Sequence, residues 1–352
     1  MSNRQRTWPS RADLAAALSA NGAYGAVAAG NLIELPRRGL AHRHWRLRGQ
    51  HALLRVPLAG GPDAATALER QAATFRRLGP SGHVPRLHGV LAPTPRVPGG
   101  ALIVEEVRGR APVVPRDFRA LAEALAAIHA LPLPPERARA PLAAPAEPFA
   151  ATLATIEHHL AAAGPTLSPA LRARLAAEAA WARDYAARHA EELRRGPRAL
   201  IVTDAHPRNF VLRADGQSIC VDLERAMYAA PGIDLAHATL PAAIAWGREG
   251  ERVTAADRER FLTAYFARRG RDVEAAVRPT LPALERLIRL RTTAAFAAFR
   301  ASGAGRVLGP AARRLAQRAI AHALDPKRLA PTSDPGATAL VRKPFTKIRS
   351  GG

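Results

Sequence analysis

The chain has 352 residues, 48% of them apolar, which is too many for one simple core and makes two packed lobes the default expectation. Fifty-two Lys and Arg against 29 Asp and Glu give a formal charge of +23, a field that favours anionic ligands such as nucleotides. All but three of those cations are arginines, dispersed over many segments with only four Trp and four Tyr in the whole chain, so a nucleic-acid stacking platform is not expected.

In chain order, residues 10–20 read as a helix with Ser10 or Asp13 at its start. Segments 31–36, 42–47 and 51–57 read as strands, the last two joined by a turn at Arg48-Gly49-Gln50. Residues 65–78 are helical by composition, with Leu68 and Phe75 on one face, and 84–90 and 101–105 add two strands. Residues 1–107 therefore read as a small β-rich lobe with a helix. Beyond them, Phe118, Leu121, Leu125 and Ile128 keep helical spacing after Pro115 and Asp117. Residues 132–148, rich in Pro and Ala, read as an irregular loop, and helices are expected over 149–163, 168–195, 233–247, 254–269, 280–302 and 309–324. Residues 108–325 thus make a larger helical lobe. The tail 326–352, polar, basic and rich in Pro and Gly, is expected to be disordered. No run of 18 apolar residues is present, the polar basic start has no signal-type core, and the lone Cys220 cannot form an intrachain disulfide. Cys220 reads as a packed thiol and the cytoplasm as the simplest location.

Between the helices lies the most informative stretch, 199–224. Asp215-Gly216 between two apolar runs signals a tight hairpin, because a type I′ turn needs positive φ at both central positions. Centred there, the hairpin sets Phe210 opposite Val221, Leu212 opposite Ile219, and Asn209 opposite Asp222, with Cys220 on the Asp222 face. An amide oxygen and a carboxylate so placed suit one hard cation such as Mg²⁺. Asp204, five residues before Asn209, has the Asp-to-Asn spacing of a kinase catalytic loop, in which the Asp orients the acceptor hydroxyl and the Asn holds metal.

With those residues in hand, the chain resembles the aminoglycoside phosphotransferase and choline/ethanolamine kinase superfamily, thiamine-kinase-like members included, over roughly residues 30 to 300. Thr203-Asp204-Ala-His206-Pro-Arg-Asn209-Phe210 is similar to the family's His-x-Asp-x-His-x-x-Asn signature, with Val202 in place of the first His. Val221-Asp222-Leu-Glu224 resembles its Asp-aromatic-Glu metal motif, Asp234-Leu235-Ala236 the Asp-Leu-Ala that follows, and 38–47 the glycine-containing loop and strand over the phosphates. The resemblance implies an α+β, protein-kinase-like two-lobe fold and an ATP- and Mg²⁺-dependent transfer of the γ-phosphoryl group to a small-molecule alcohol such as choline, ethanolamine, thiamine or an aminoglycoside. It implies Asp204 as catalytic carboxylate, Asn209 and Asp222 as Mg²⁺ ligands, and Asp234 as a brace for the catalytic loop. His206 and Glu224 would support the site, Gly39 would lie over the phosphates, and Glu105, Glu106 and Val107 would form the hinge that meets adenine. No lysine precedes Lys327, so Arg55 stands where the family's phosphate-binding lysine is expected, with Glu69 or Gln71 in the region of its helix partner. Arg grips phosphate with two hydrogen bonds but is not a simple lysine equivalent. The competing readings are a pseudokinase that binds nucleotide as a regulatory module, and nonspecific nucleic-acid binding.

Overall fold

The structure, a computed structural model, describes residues 8–36, 41–57, 63–245, 253–307 and 310–325. Gly39 and the tail 326–352 lie outside the described residues. Helix α1 (Arg11–Asn21) opens with a capping box in which the Ser10 hydroxyl accepts from the Asp13 N–H and the Asp13 carboxylate accepts from the Ser10 N–H. Next come β1 (Leu32–Glu34), β2 (His42–Leu47), β3 (Ala52–Pro57), α2 (Ala64–Leu78), β4 (Leu87–Leu91) and β5 (Ala101–Glu105). The five strands form one antiparallel sheet in the order β1-β2-β3-β5-β4. Alternation along the strands gives the sheet two apolar faces. Trp45, Leu47, Leu54 and Ile103 pack with Leu14 and Leu18 of α1, while Leu102 and Val104 pack with Leu68, Phe75 and Leu78 of α2.

The second lobe holds α3 (Phe118–His129), α4 (Pro148–Ala163), α5 (Pro169–Arg188), α6 (Ala190–Arg195), β6 (Ala199–Ile201), β7 (Phe210–Leu212), β8 (Ser218–Cys220), β9 (Met227–Ala229), α7 (Gly232–Ala238), α8 (Pro241–Ala245), α9 (Ala255–Arg269), α10 (Arg271–Val277), α11 (Leu281–Ala301) and α12 (Pro310–Ala323). Several expectations need adjustment. The helix expected over 168–195 breaks at His189, whose ring stacks on Tyr185 at 4.3 Å. The helix expected over 233–247 is two short ones, because Pro241 has no N–H to continue the first. Helix α10 and the β6–β9 pair carry too few residues to show a period in sequence. Among the described residues no helix is long and apolar enough to cross a membrane.

The hairpin exists, but its register is one residue off the expected one. Phe210 pairs with Cys220, Val211 with Ile219 and Leu212 with Ser218. The Gly216 N–H donates to the Arg213 carbonyl, with Gly216 at φ 85°, and the Arg213 N–H donates to the Gln217 carbonyl. This is a three-residue loop, a turn through Ala214 and Asp215 closed by glycine in the left-handed region, in place of the two-residue I′ turn. Consequently Asn209 lies across from Val221, whose N–H donates to the Asn209 carbonyl at 2.8 Å, and the direct Asn209–Asp222 opposition does not occur. Cys220 turns inward beside Phe210 in the core, fully buried, and burial raises its thiol pKa well above the ordinary value. It is a packed thiol and does not share a face of the site.

The hairpin is tied to both lobes. Arg110 of the interlobe linker bridges to Leu212, and a Cβ at Gly109 would land on the Leu212 carbonyl, so only glycine allows this approach. Arg213 pairs with Glu105 at the end of β5. From α2, the Arg77 guanidinium donates to the carbonyls of Ala138, Arg139 and Ala140 and to the Tyr228 hydroxyl.

Candidate active site

The loop from Val202 to Asn209 is held by its main chain. Asp234, fully buried on α7, accepts the Val202 N–H on Oδ2 and the Thr203 N–H on Oδ1, each at 2.8 Å, and its Oδ2 lies 3.1 Å from His129 Nε2. His129 Nδ1 in turn meets the Tyr265 hydroxyl at 2.9 Å. The brace expected at Asp234 is therefore built. It restrains Thr203, a β-branched residue at φ 63°, a conformation that side chains of this kind adopt only when their surroundings impose it. From the other side Arg291 of α11 donates to the Thr203 carbonyl at 2.8 Å. Val202, standing where the resemblance expects His, is fully buried in the core, and its fixed group is the N–H. Asp234→Ala orphans two buried N–H groups at about 1–3 kcal/mol each. Urea unfolding should show that loss, and an unchanged midpoint would remove the brace from the account.

The fixed loop presents Asp204 to the space between the lobes. Its side chain is 36% exposed, and the Asn209 Nδ2 donates to its carbonyl at 2.9 Å. Two imidazoles face its Oδ1: His237 Nδ1 at 3.4 Å and His206 Nε2 at 3.8 Å. The rings of His206 and His237 meet edge-on. Arg291 Nη2 lies 3.2 Å from His237 Nδ1. Burial and the Arg291 charge push His237 down to about 3 against the pull of Asp204, and burial lowers His206 against Asp204 and Asp222. Both rings are thus neutral near pH 7. Burial raises the Asp204 carboxyl, but the cationic forms of these imidazoles, Arg291 and Arg225 outweigh it and bring it down to about 2. At neutral pH the arginines remain as the charges that keep it ionised.

Across from Asp204 lie Asp222 and Glu224, just past β8. Arg55 of β3 reaches them both, with Nη2 at 3.3 Å from Asp222 Oδ1 and 3.0 Å from Glu224 Oε2, while Nη1 donates to the Val221 carbonyl at 3.3 Å. The Arg55 side chain is 6% exposed and its Nε is buried without a partner. His42 of β2 touches Glu224 Oε2 through Nδ1 at 3.1 Å and Gln71 Oε1 of α2 through Nε2 at 3.2 Å. Of the two expected helix partners, Gln71 therefore joins the network through His42, and Glu69 pairs with Arg76 on the surface. Burial raises the Asp222 carboxyl, Arg55 opposes this, and the negative charges of Glu224 and Asp204 add to the rise. Burial also acts to raise Glu224, but His42 and Arg55 win and hold it at about 2. A carboxylate held below its unfolded value adds stability above that value and loses it as pH falls through the folded one. The urea midpoint should thus fall more steeply from about pH 5 to pH 2 in the wild-type chain than in Glu224→Gln. Parallel curves would contradict this.

The residues present fit a hard cation. Asp222 is crowded by like charge, and the Asn209 amide nitrogen is committed to the Asp204 carbonyl, so its oxygen is the group left to offer. Among the described residues no three His, Cys, Asp or Glu side chains converge as metal ligands. That is consistent with Mg²⁺, which is commonly held by one or two protein groups together with substrate phosphates. At the hinge, the Glu105 N–H donates to the Arg86 carbonyl and the Glu106 N–H to the His51 carbonyl. The Glu106 carboxylate pairs with Arg46 at 2.5 Å. The Val107 N–H makes no hydrogen bond among the described residues and is available to a planar base.

The model of the phosphotransferase enzyme family matches residues 33–280. The chain belongs to this family. It is a small-molecule phosphotransferase whose acceptor group is a hydroxyl. No curated protein matches it. Solved structures similar to this phosphotransferase include a choline/ethanolamine kinase family protein from Mesorhizobium loti, at 20% identity and TM-score 0.57 over 86% of this chain and 88% of that one. An ethanolamine kinase of Plasmodium vivax matches at 12% identity and TM-score 0.58 over 84% and 83%. A macrolide 2′-phosphotransferase from Brachybacterium faecium matches at 20% and 0.53 over 89% and 98%. At such identities they speak for the fold, which is the protein-kinase-like one with a β-rich and a helical lobe.

Three side chains around Asp204 in this phosphotransferase are not singled out by sequence. His237 had a signal, because a helical residue three after Asp234 lies on the same side of α7. Arg291 had one as well: it falls on the apolar stripe of Leu284, Leu287 and Ile288, where a charge is costly without a task. Arg225, directly after the metal motif, had none.

Proposed function

We propose that this phosphotransferase moves the γ-phosphoryl group of ATP to a small-molecule hydroxyl, with residues 1–107 binding nucleotide and 108–325 supplying catalysis and the acceptor site. The observation that carries the reading is Asp204: ionised, open to the cleft, and fixed through main-chain bonds five residues before Asn209. Asp204 orients the acceptor hydroxyl and takes its proton as the oxygen bonds to phosphorus. Asn209 and Asp222 would hold Mg²⁺, which when bound neutralises phosphate charge. Arg55, whose guanidinium has a spare buried N–H, faces the phosphates, and the hinge at Glu105 and Val107 takes the adenine. His206 and Asp234 hold the loop, and Glu224 positions Arg55. Catalysis is then positioning and charge neutralisation more than covalent chemistry.

The test is ADP release with a panel of alcohols, with and without Mg²⁺. Turnover with at least one acceptor that ceases on chelation is the expected result. Nucleotide binding with no transfer to any member would favour a regulatory module instead.

A further inference from the structure

The side of Asp204 turned away from Arg55 is cationic. Arg291 and His237 lie against it, and Arg225, exposed one residue past Glu224, makes no side-chain hydrogen bond or ion pair among the described residues. His159 of α4 feels both arginines: burial lowers its imidazole, and Arg225, His158 and Arg291 lower it further. Nδ1 of His159 and Nδ1 of His206 are both buried without a partner. The carboxylates that act on this group are Asp204, Asp222 and Asp234. Asp222 is paired to Arg55 and Asp234 to the loop N–H groups, and Glu157, beside the α4 histidines, is paired to Arg183 at 2.6 Å. Among the described residues named here, Asp204 is the carboxylate left to meet a cation, and its task is the hydroxyl.

Several of the described aromatic groups of the second lobe are also engaged already. Trp181 already carries the Arg286 guanidinium at 3.9 Å, Tyr185 stacks on His189, and Tyr265 and Tyr228 are buried with their hydroxyls bonded to His129 and Arg77. Arg225, whose carbonyl accepts from the Thr203 hydroxyl beside Asp204, thus offers an anion charge-assisted donors that no described side chain occupies.

We infer that the acceptor is an anionic alcohol, a hydroxyl compound bearing a carboxylate or phosphate that Arg225 binds while its hydroxyl meets Asp204. This rests on the phosphotransferase reading above and narrows its substrate class away from choline, ethanolamine and aminoglycosides. The transfer itself is unchanged: the acceptor oxygen bonds to the γ-phosphorus, the bond to the β–γ bridging oxygen breaks, ADP leaves, and the hydroxyl proton passes to Asp204.

The experiment compares ADP release from Mg-ATP with glycerate, gluconate and glycerol 3-phosphate against choline, ethanolamine and streptomycin. It then repeats the best acceptor with Arg225→Ala, a change at an exposed side chain with no partner to lose. The expected result is a kcat/KM at least about tenfold higher for the anionic set, the size of one charge-assisted hydrogen bond. Arg225→Ala should raise KM for that acceptor by about tenfold while KM for Mg-ATP moves less than about twofold. Faster transfer to a cationic member overturns the inference, as does an Arg225→Ala effect confined to Mg-ATP. A chain that hydrolyses Mg-ATP but phosphorylates none of the anionic compounds overturns it and leaves the kinase reading standing. A chain that neither binds nor hydrolyses Mg-ATP overturns both.

Discussion

Asp204→Asn lowers kcat by at least about 100-fold and leaves Mg-ATP binding in place, because general-base and orienting groups of this kind contribute roughly 10²–10⁴. The substitution is clean here for a structural reason. The bonds that Asp234, Arg291 and Asn209 make to the loop go to its main chain: Asp234 to the N–H groups of Val202 and Thr203, Arg291 to the Thr203 carbonyl, Asn209 to the Asp204 carbonyl. The amide therefore sits where the carboxylate sat, with its charge gone and its scaffold intact. Because the cations around it hold the carboxylate down at about 2, its charge adds stability at neutral pH, so the thermal midpoint should stay level or fall slightly. Single-turnover rates with a working acceptor, alongside a nucleotide titration, give both halves of the result. A variant that keeps a tenth or more of wild-type kcat would remove Asp204 from the chemistry, whatever its position suggests.

Much of this arrangement could be read from residue order. The strands of the first lobe follow alternating patterns with turn residues between them, and they form a small sheet as expected, with the central strands β3 and β5 the most buried. Asp234 and Asn209 both bond to the loop that carries Asp204, and the charges of Asp204 and Asp222 act on each other. The register of the hairpin was less legible. Asp-Gly fits a two-residue I′ turn and also the closing position of a three-residue loop, and the packed Phe210–Cys220 pair, a long-range effect, selects the second. The carboxylate partners of Arg55 were beyond the sequence, since β3 and the segment after β8 lie far apart in the chain, and of the two helix candidates only Gln71 reaches the network, through His42. The surroundings of Asp204 are illegible for the same reason: His237 and Arg291 come from α7 and α11 and Arg225 from the segment after β8, and no spacing along the chain links them.

Arg55→Ala weakens Mg-ATP binding by about tenfold or more and lowers turnover further, and Arg55→Lys restores little of either. The Arg55 guanidinium bridges the carboxylates of Asp222 and Glu224 and the Val221 carbonyl, so three acceptors depend on one planar group. A lysine ammonium is a single point on a flexible stem and cannot keep all three while also facing a phosphate. Without Arg55 the like charges of Asp222, Glu224 and Asp204 stand uncompensated. Breaking a fully buried ion pair costs about 3–5 kcal/mol, but Asp222 and Glu224 are 39% and 29% exposed, so about 1–2 kcal/mol is the proper scale for stability here. That is small enough for the variant to fold, and the nucleotide measurement stays interpretable. Mg²⁺ dependence then separates two roles for the arginine. If it serves only as a counter-ion, excess Mg²⁺ replaces its charge beside Asp222 and rescues the alanine variant to near wild-type affinity. If it grips phosphate, saturating Mg²⁺ leaves the ATP defect in place. The second outcome is expected, because the buried Nε without a partner is a donor still waiting for an acceptor, and a cation bound to Asp222 cannot stand in for a hydrogen-bond donor.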